Sequence, residues 1–168
     1  MTSYYDTAVL NAVTKWNNGL GTSMYRITSY DSSNAEFQYL ENGALKFIGG
    51  NSQDLQHTGV FDYNALDGYY TGGLSRIDYS EFRTEYTATG QSVTVYTAVK
   101  GYACVTDLSE EGLSSSLSNY INVATHEMGH LLGWYGHSTY SSDIMYSSPT
   151  SVVSLSNRDI RHISQVYD

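Results

Sequence analysis

Cations are scarce in this chain: 8 Lys+Arg stand against 17 Asp+Glu in 168 residues, giving a net charge of −9. A duplex-binding surface neutralises many phosphates, and so few positive side chains cannot build one, which excludes nucleic acid as a partner. Cysteine is scarcer still. Cys104 stands alone, so no intramolecular disulfide can form and no Cys-rich zinc knuckle is encoded. Any metal must therefore be held by His and carboxylate. No stretch approaches the ~20 apolar residues of a membrane span, and Met1 to Leu10 lacks the basic start and apolar run of a secretory leader.

What is present describes a folded chain. Hydrophobic residues make up 40% and charged residues only 15%, a balance that can fill a core, and the length fits one domain. Tyr5, Val9, Ala12, Val13 and Trp16 fall on one face of an α-helix, with Gly19 as its expected stop. From Ser23 to about Tyr102 the pattern changes to short alternating runs. Tyr25/Ile27, Ala35/Phe37/Tyr39, Leu45/Phe47, Ile77/Tyr79 and Val93/Val95/Thr97/Val99 predict about five strands. Phe61 to Gly73, rich in Asp, Asn, Gly and Tyr, reads as a long functional loop, and Thr106 to Ser118 as a polar connector. Cys104 lies in a strand-like run and reads as a small buried hydrophobe. A last helix is marked by the capping pair Ser156/Asp159, by Leu155 and Ile160 as a hydrophobic staple, and by the stripe Ile160, Ile163, Tyr167.

The chemistry is concentrated in NYINVATHEMGHLLGWYGH, residues 119–137, which contains HExxH as His126, Glu127, Met128, Gly129 and His130. On a helix, at about 100° per residue, the two His lie about 40° apart and Glu127 a further ~60° round, while Ile121, Ala124, Met128, Leu131 and Leu132 take the opposite arc. Two neutral imidazoles one turn apart can each reach a zinc ion at ~2.0–2.1 Å, with the Glu beside the open coordination position. A third ligand must come from further along. Gly133 can adopt positive φ, end the helix and turn the chain so that His137 swings back toward the metal.

These residues resemble the active-site pattern of the metzincin clan of zinc metalloproteases, and within it the matrixin (matrix-metalloproteinase-like) family, in a minimal, microbial-type form. The family pattern is HExxHxxGxxH followed by a Met-turn. This chain has one more residue between the glycine and the third His, so the strict slot falls on Gly136, which has no side chain to coordinate with. The downstream HSTYSSDIMY places His137 eight residues before Met145, as the family's third His stands before its Met-turn methionine. The likeness is sequence-specific over residues 119–168, including LSNRDIRHISQVYD, and extends to the first 118 only in the order of elements.

The resemblance implies an α+β metzincin fold: a mixed, twisted sheet of about five strands with three helices, divided into an N-terminal part of about residues 1–133 and a small C-terminal part of about 134–168. It implies a zinc endopeptidase in which His126, His130 and His137 hold the catalytic Zn2+, Glu127 is the general base and Met145 forms a floor beneath the imidazoles. Tyr146, Ser147, Ser148 and Pro149 are expected to wall the substrate pocket. In related families a Tyr two residues after the Met-turn methionine reaches the metal; here Ser147 stands there. His57 and His162 are read as surface or packing residues, so the His-rich structural zinc site of many matrixins is not encoded. Ca2+ at Asp62, Asp67 or loop carbonyls is a secondary expectation. The expected partner is an extended protein or peptide substrate added to a sheet edge, either 75–82 or 93–99, by a monomeric, extracellular protein. Because the three His must be neutral, zinc affinity and activity are expected to fall below about pH 6. The rival reading is a non-catalytic, zinc-stabilised binding or adhesion module on the same scaffold. The presence of Glu127, which coordination does not need, favours the enzyme.

Overall fold

In the computed structural model the described residues are 4–24, 45–50, 72–109, 112–148, 152 and 154–167. The first helix, α1, spans Tyr4–Leu20 and buries Ala8, Ala12, Val13 and Trp16, the face that the periodicity predicts. It does not stop at Gly19. Gly21, at φ 66°, makes the turn, and the amides of Gly21 and Thr22 return to the carbonyls of Asn18 and Asn17. Gly19 is needed for another reason: a Cβ there would meet Leu155 and Ile160 of the C-terminal segment at 2.9–3.2 Å.

Three strands are found among the described residues, β1 (Leu45–Gly50), β2 (Gly73–Tyr86) and β3 (Ser92–Thr106), in the order β1-β3-β2. β1 runs parallel to β3, from Leu45 opposite Gly101 to Gly50 opposite Thr106. β2 runs antiparallel to β3, from Gly73 opposite Val105 to Tyr86 opposite Ser92, with a break in register between Asp78 and Glu81. The sheet is thus mixed, as expected for an α+β protein. The strands expected around Tyr25/Ile27 and Ala35–Tyr39 lie outside the described residues, as do His57, Asp62, Asp67 and the loop as far as residue 71. Gly73, taken as the end of that loop, is instead the first residue of β2.

β3 outruns its alternating stretch. Tyr102, Ala103, Cys104 and Val105 are all buried, because this half of the central strand is paired on both edges and covered. A strand of that kind has a continuous apolar run and no alternation, so Thr106 belongs to the strand and not to the connector. The next helix, α2, spans Leu117–Leu131 and starts inside the predicted connector, with Ser116 as N-cap accepting the Asn119 amide.

α2 packs on α1 and across β2 and β3. Trp16 of α1 is fully buried and donates its indole N–H to the Thr125 carbonyl of α2 at 2.8 Å. The last helix, α3, spans Asn157–Tyr167. The capping pair forms as predicted: the Ser156 hydroxyl accepts the Asp159 amide at 3.1 Å, and Asp159 accepts the Ser156 amide at 2.8 Å. Ile163 joins Trp16, Met128, Leu132, Ile144 and Met145 in one core cluster, which lies directly beneath the HExxH helix.

Candidate metal centre

α2 ends where the sequence requires. Gly133 has φ 103°, its amide returns to the His130 carbonyl at 2.9 Å, and the Trp134 amide returns to Gly129 at 3.1 Å. A second left-handed residue, Gly136 at φ 78°, turns the chain again. His137 is thereby brought beside the helix. The rings of His126, His130 and His137 stand 4.8–5.2 Å apart between centroids, and one nitrogen from each lies within 4.8 Å of the others. Three residues chosen from sequence spacing therefore meet in space, with Gly136 left out.

The tautomers of the first two rings follow from their partners. His126 Nδ1 lies 2.7 Å from the Ile144 carbonyl and His130 Nδ1 lies 2.8 Å from the Trp134 carbonyl. A carbonyl only accepts, so each Nδ1 carries the proton and each Nε2 carries a lone pair. These two Nε2 atoms face each other at 3.1 Å. Two lone pairs in that position repel unless a cation lies between them. Tetrahedral zinc with ~2.0–2.1 Å bonds places its nitrogen ligands about 3.3 Å apart, close to the spacing of this pair, and three imidazoles are a donor set of the kind that ion takes.

Electrostatics point the same way. Burial lowers the pKa of His126 to about 4 and also lowers those of His130 and His137, so all three are neutral and ready to ligate at physiological pH. Glu127 lies on the same helix, is 6% exposed and lines the same cleft. Burial pushes its carboxyl up to about 8 against the opposing hydrogen bond with Ser75 of β2. Its close approach to the sheet depends on Gly73, where a Cβ would come within 2.7–2.8 Å of Val123, the Cys104 carbonyl and Glu127 itself. Cys104 is fully buried, as expected; burial, reinforced by the Glu127 charge, raises its pKa and keeps it a thiol.

The cleft over the three rings has a volume of about 600 Å³. Gly73, Leu74, Ser75 and Ile77 of β2 form one wall, and no described residue of β3 lines the cleft. Tyr146, Ser147 and Ser148 line the cleft; Pro149 lies outside the described residues. Met145 is fully buried beneath α2 and packs where a Cβ on Gly129 would strike it. His162 stacks on Trp134 with ring centroids 4.0 Å apart, a packing role, and takes no part in the cluster.

Several contributors were not foreseen. Asp159 does more than cap α3: its carboxylate accepts the amides of Ile144 at 3.1 Å and Met145 at 3.3 Å, tying α3 to the segment that supplies the partner of His126. Asp143 and Arg158 form a bidentate pair beside it, at 2.6 and 2.9 Å. The S-x-x-D signal marks Asp159 as a cap, but nothing local in the sequence indicates its two distant amides.

A helix carrying two His and a buried Glu over a mixed sheet, with a third His returned by a glycine turn above a buried Met, is the arrangement of a metzincin. No curated protein and no solved structure shows significant similarity to the chain. The matrixin family model, however, matches residues 2–168, and the chain belongs to that family of zinc-dependent endopeptidases. The match covers the N-terminal region, where motif likeness alone had been silent.

Proposed function

We propose that this matrixin is an active endopeptidase that hydrolyses peptide bonds in extended protein segments, with His126, His130 and His137 as zinc ligands and Glu127 as the general base. The observation that carries the reading is the two Nε2 lone pairs facing each other at 3.1 Å, with His137 closing the cluster and Glu127 on the same cleft. A zinc ion held there supplies Lewis-acid chemistry, polarising a peptide carbonyl and acidifying a water.

The remaining work belongs to the chain. Glu127 takes a proton from the attacking water and delivers it to the leaving amine. Its burial-raised affinity for a proton suits it to hold the proton between the two transfers, and the ionised form needed to accept would be favoured with a cation bound nearby. The Ser75 hydroxyl holds the carboxyl in place from β2. The substrate lies extended along β2 and bonds to its main chain near Gly73–Ile77, which line the cleft. Tyr146, Ser147 and Ser148 flank the residue just beyond the cut.

The test pairs elemental analysis for zinc with cleavage of an unfolded protein by the wild type and by Glu127→Ala. About one zinc per chain, cleavage by the wild type and none by the variant are expected. Bound zinc with no cleavage under any condition would replace this reading with that of a zinc-stabilised binding module.

A further inference from the structure

His126 and His130 are fixed twice, by the helix that carries them and by the bond from each Nδ1–H to a backbone carbonyl. His137 has neither support. It sits on a loop after two glycines, is the most exposed of the three and only partly shielded from water, and among the described residues its imidazole shows ring contacts with the other two His but no hydrogen bond. Its position must therefore come from the backbone beside it.

That backbone is held from one side. Ser138, the next residue, donates its amide to the Met145 carbonyl at 2.7 Å and bridges to Tyr146. The Ser138 hydroxyl donates to Asp143 Oδ2 at 2.6 Å and accepts the Tyr140 amide at 3.2 Å. Asp143 has no exposed side-chain surface, yet it carries a charge. Arg158 of α3 meets it with a two-pronged bond, Nη2 to Oδ1 at 2.6 Å and Nε to Oδ2 at 2.9 Å. Arg158 also donates to the Ser142 hydroxyl at 2.8 Å and lies 4.1 Å from the centre of the Tyr140 ring. The arm from His137 to Met145 is thus a closed loop whose interior is a buried carboxylate neutralised from α3.

We infer that Asp143 and Arg158 are a positioning pair that sets the affinity of the centre for zinc by fixing the arm that carries His137. The inference rests on the three-His reading proposed above. A buried carboxylate deprived of its partner cannot stay where it is, so the arm must reopen to hydrate it. The first two ligands would still be carried by α2, with His130 also keeping its bond to Trp134, even where Ile144 shifts with the arm. Zinc would then find two preset donors and a third that must be ordered at the moment of binding, which lowers affinity by the cost of that ordering.

The test is competition for Zn2+ between metal-free protein and a chromophoric chelator, at a temperature where every variant is folded by circular dichroism. Arg158→Gln is expected to weaken binding by about 10- to 100-fold, and Ser138→Ala, which removes the hydroxyl that reaches Asp143 and accepts the Tyr140 amide, by several-fold. Arg158→Lys, which keeps the charge and loses the fork, should fall between wild type and Arg158→Gln. Ile163→Val on the same helix lowers the unfolding midpoint through the core and should leave zinc affinity within about twofold of wild type. If Arg158→Gln does not fold, Ser138→Ala decides. Unchanged affinity in Arg158→Gln and Ser138→Ala, or an equal loss in Ile163→Val, would overturn the pairing while leaving the zinc reading intact. A wild type that binds no zinc would remove the proposed function itself.

Discussion

Replacing Glu127 by Gln should stabilise the metal-free protein while abolishing cleavage. The carboxyl has an ordinary value of 4.5 and is pushed to about 8 by burial, so folding makes it hold a proton that the unfolded chain releases. Linkage gives the sign: between these values the folded state binds more protons, and stability falls as pH rises, by about 1.4 kcal/mol per unit. The penalty is absent below about pH 4.5 and complete above about pH 8. Integrating over that window gives under about 1 kcal/mol at pH 5, about 3 at pH 7 and about 4 at pH 8. Gln is nearly isosteric, cannot ionise and keeps an acceptor for Ser75, so it escapes the penalty. Urea unfolding of both proteins in the presence of a chelator, at pH 5, 7 and 8, measures the difference. The burial-lowered His residues impose an opposite slope on both proteins, which cancels in the comparison. A Gln variant whose advantage does not grow with pH would refute the assignment of Glu127 as a buried, proton-holding carboxyl. With zinc bound the advantage should shrink, because a cation near the carboxylate removes most of the cost of ionising it.

Three further outcomes follow from the same geometry. Asp159→Ala strands the amides of Ile144, Met145 and Ser156 and should cost about 3–5 kcal/mol in chemical unfolding, with loss of zinc affinity through Ile144. Gly129→Ala drives a methyl into Met145 and to 2.9 Å from Trp16, and should lower stability by about 1–3 kcal/mol in a thermal melt. Burial, by lowering all three ligand pKa values and that of His126 to about 4, should hold zinc in place below pH 6, the threshold expected from unperturbed imidazole. Zinc retention followed by dialysis should fail only as pH drops further toward that value; complete release at pH 6 would contradict the neutral-His picture.

The parts of this site that were legible in the sequence are those fixed by short spacing. HExxH places two rings by helix geometry alone, Gly133 ends the helix because only a left-handed turn fits there, and Ser156/Asp159 announces a helix start within four residues. The parts that were not legible are tertiary. Asp159 looks like a cap until its two remote amides are seen, and Asp143 looks like a loop acid until Arg158 reaches it from another helix. Periodicity also misled in a systematic way. Alternation stops at Val99 because β3 becomes covered on both faces, and Gly19 looks like a stop although it is a contact point for Leu155 and Ile160.

The backbone of Ile144 links α2 to α3, since its carbonyl accepts from His126 and its amide donates to Asp159. During synthesis the three His and Glu127 leave the ribosome before α3 does. A nascent or truncated chain that ends ahead of Ser156 carries His126, Glu127, His130 and His137, the residues of the proposed site, yet lacks the carboxylate that bonds the Ile144 amide and the guanidinium that meets Asp143. The proposed chemistry is therefore encoded upstream of the helix that holds its frame together, and on that reading a chain contains its chemistry before it can perform it.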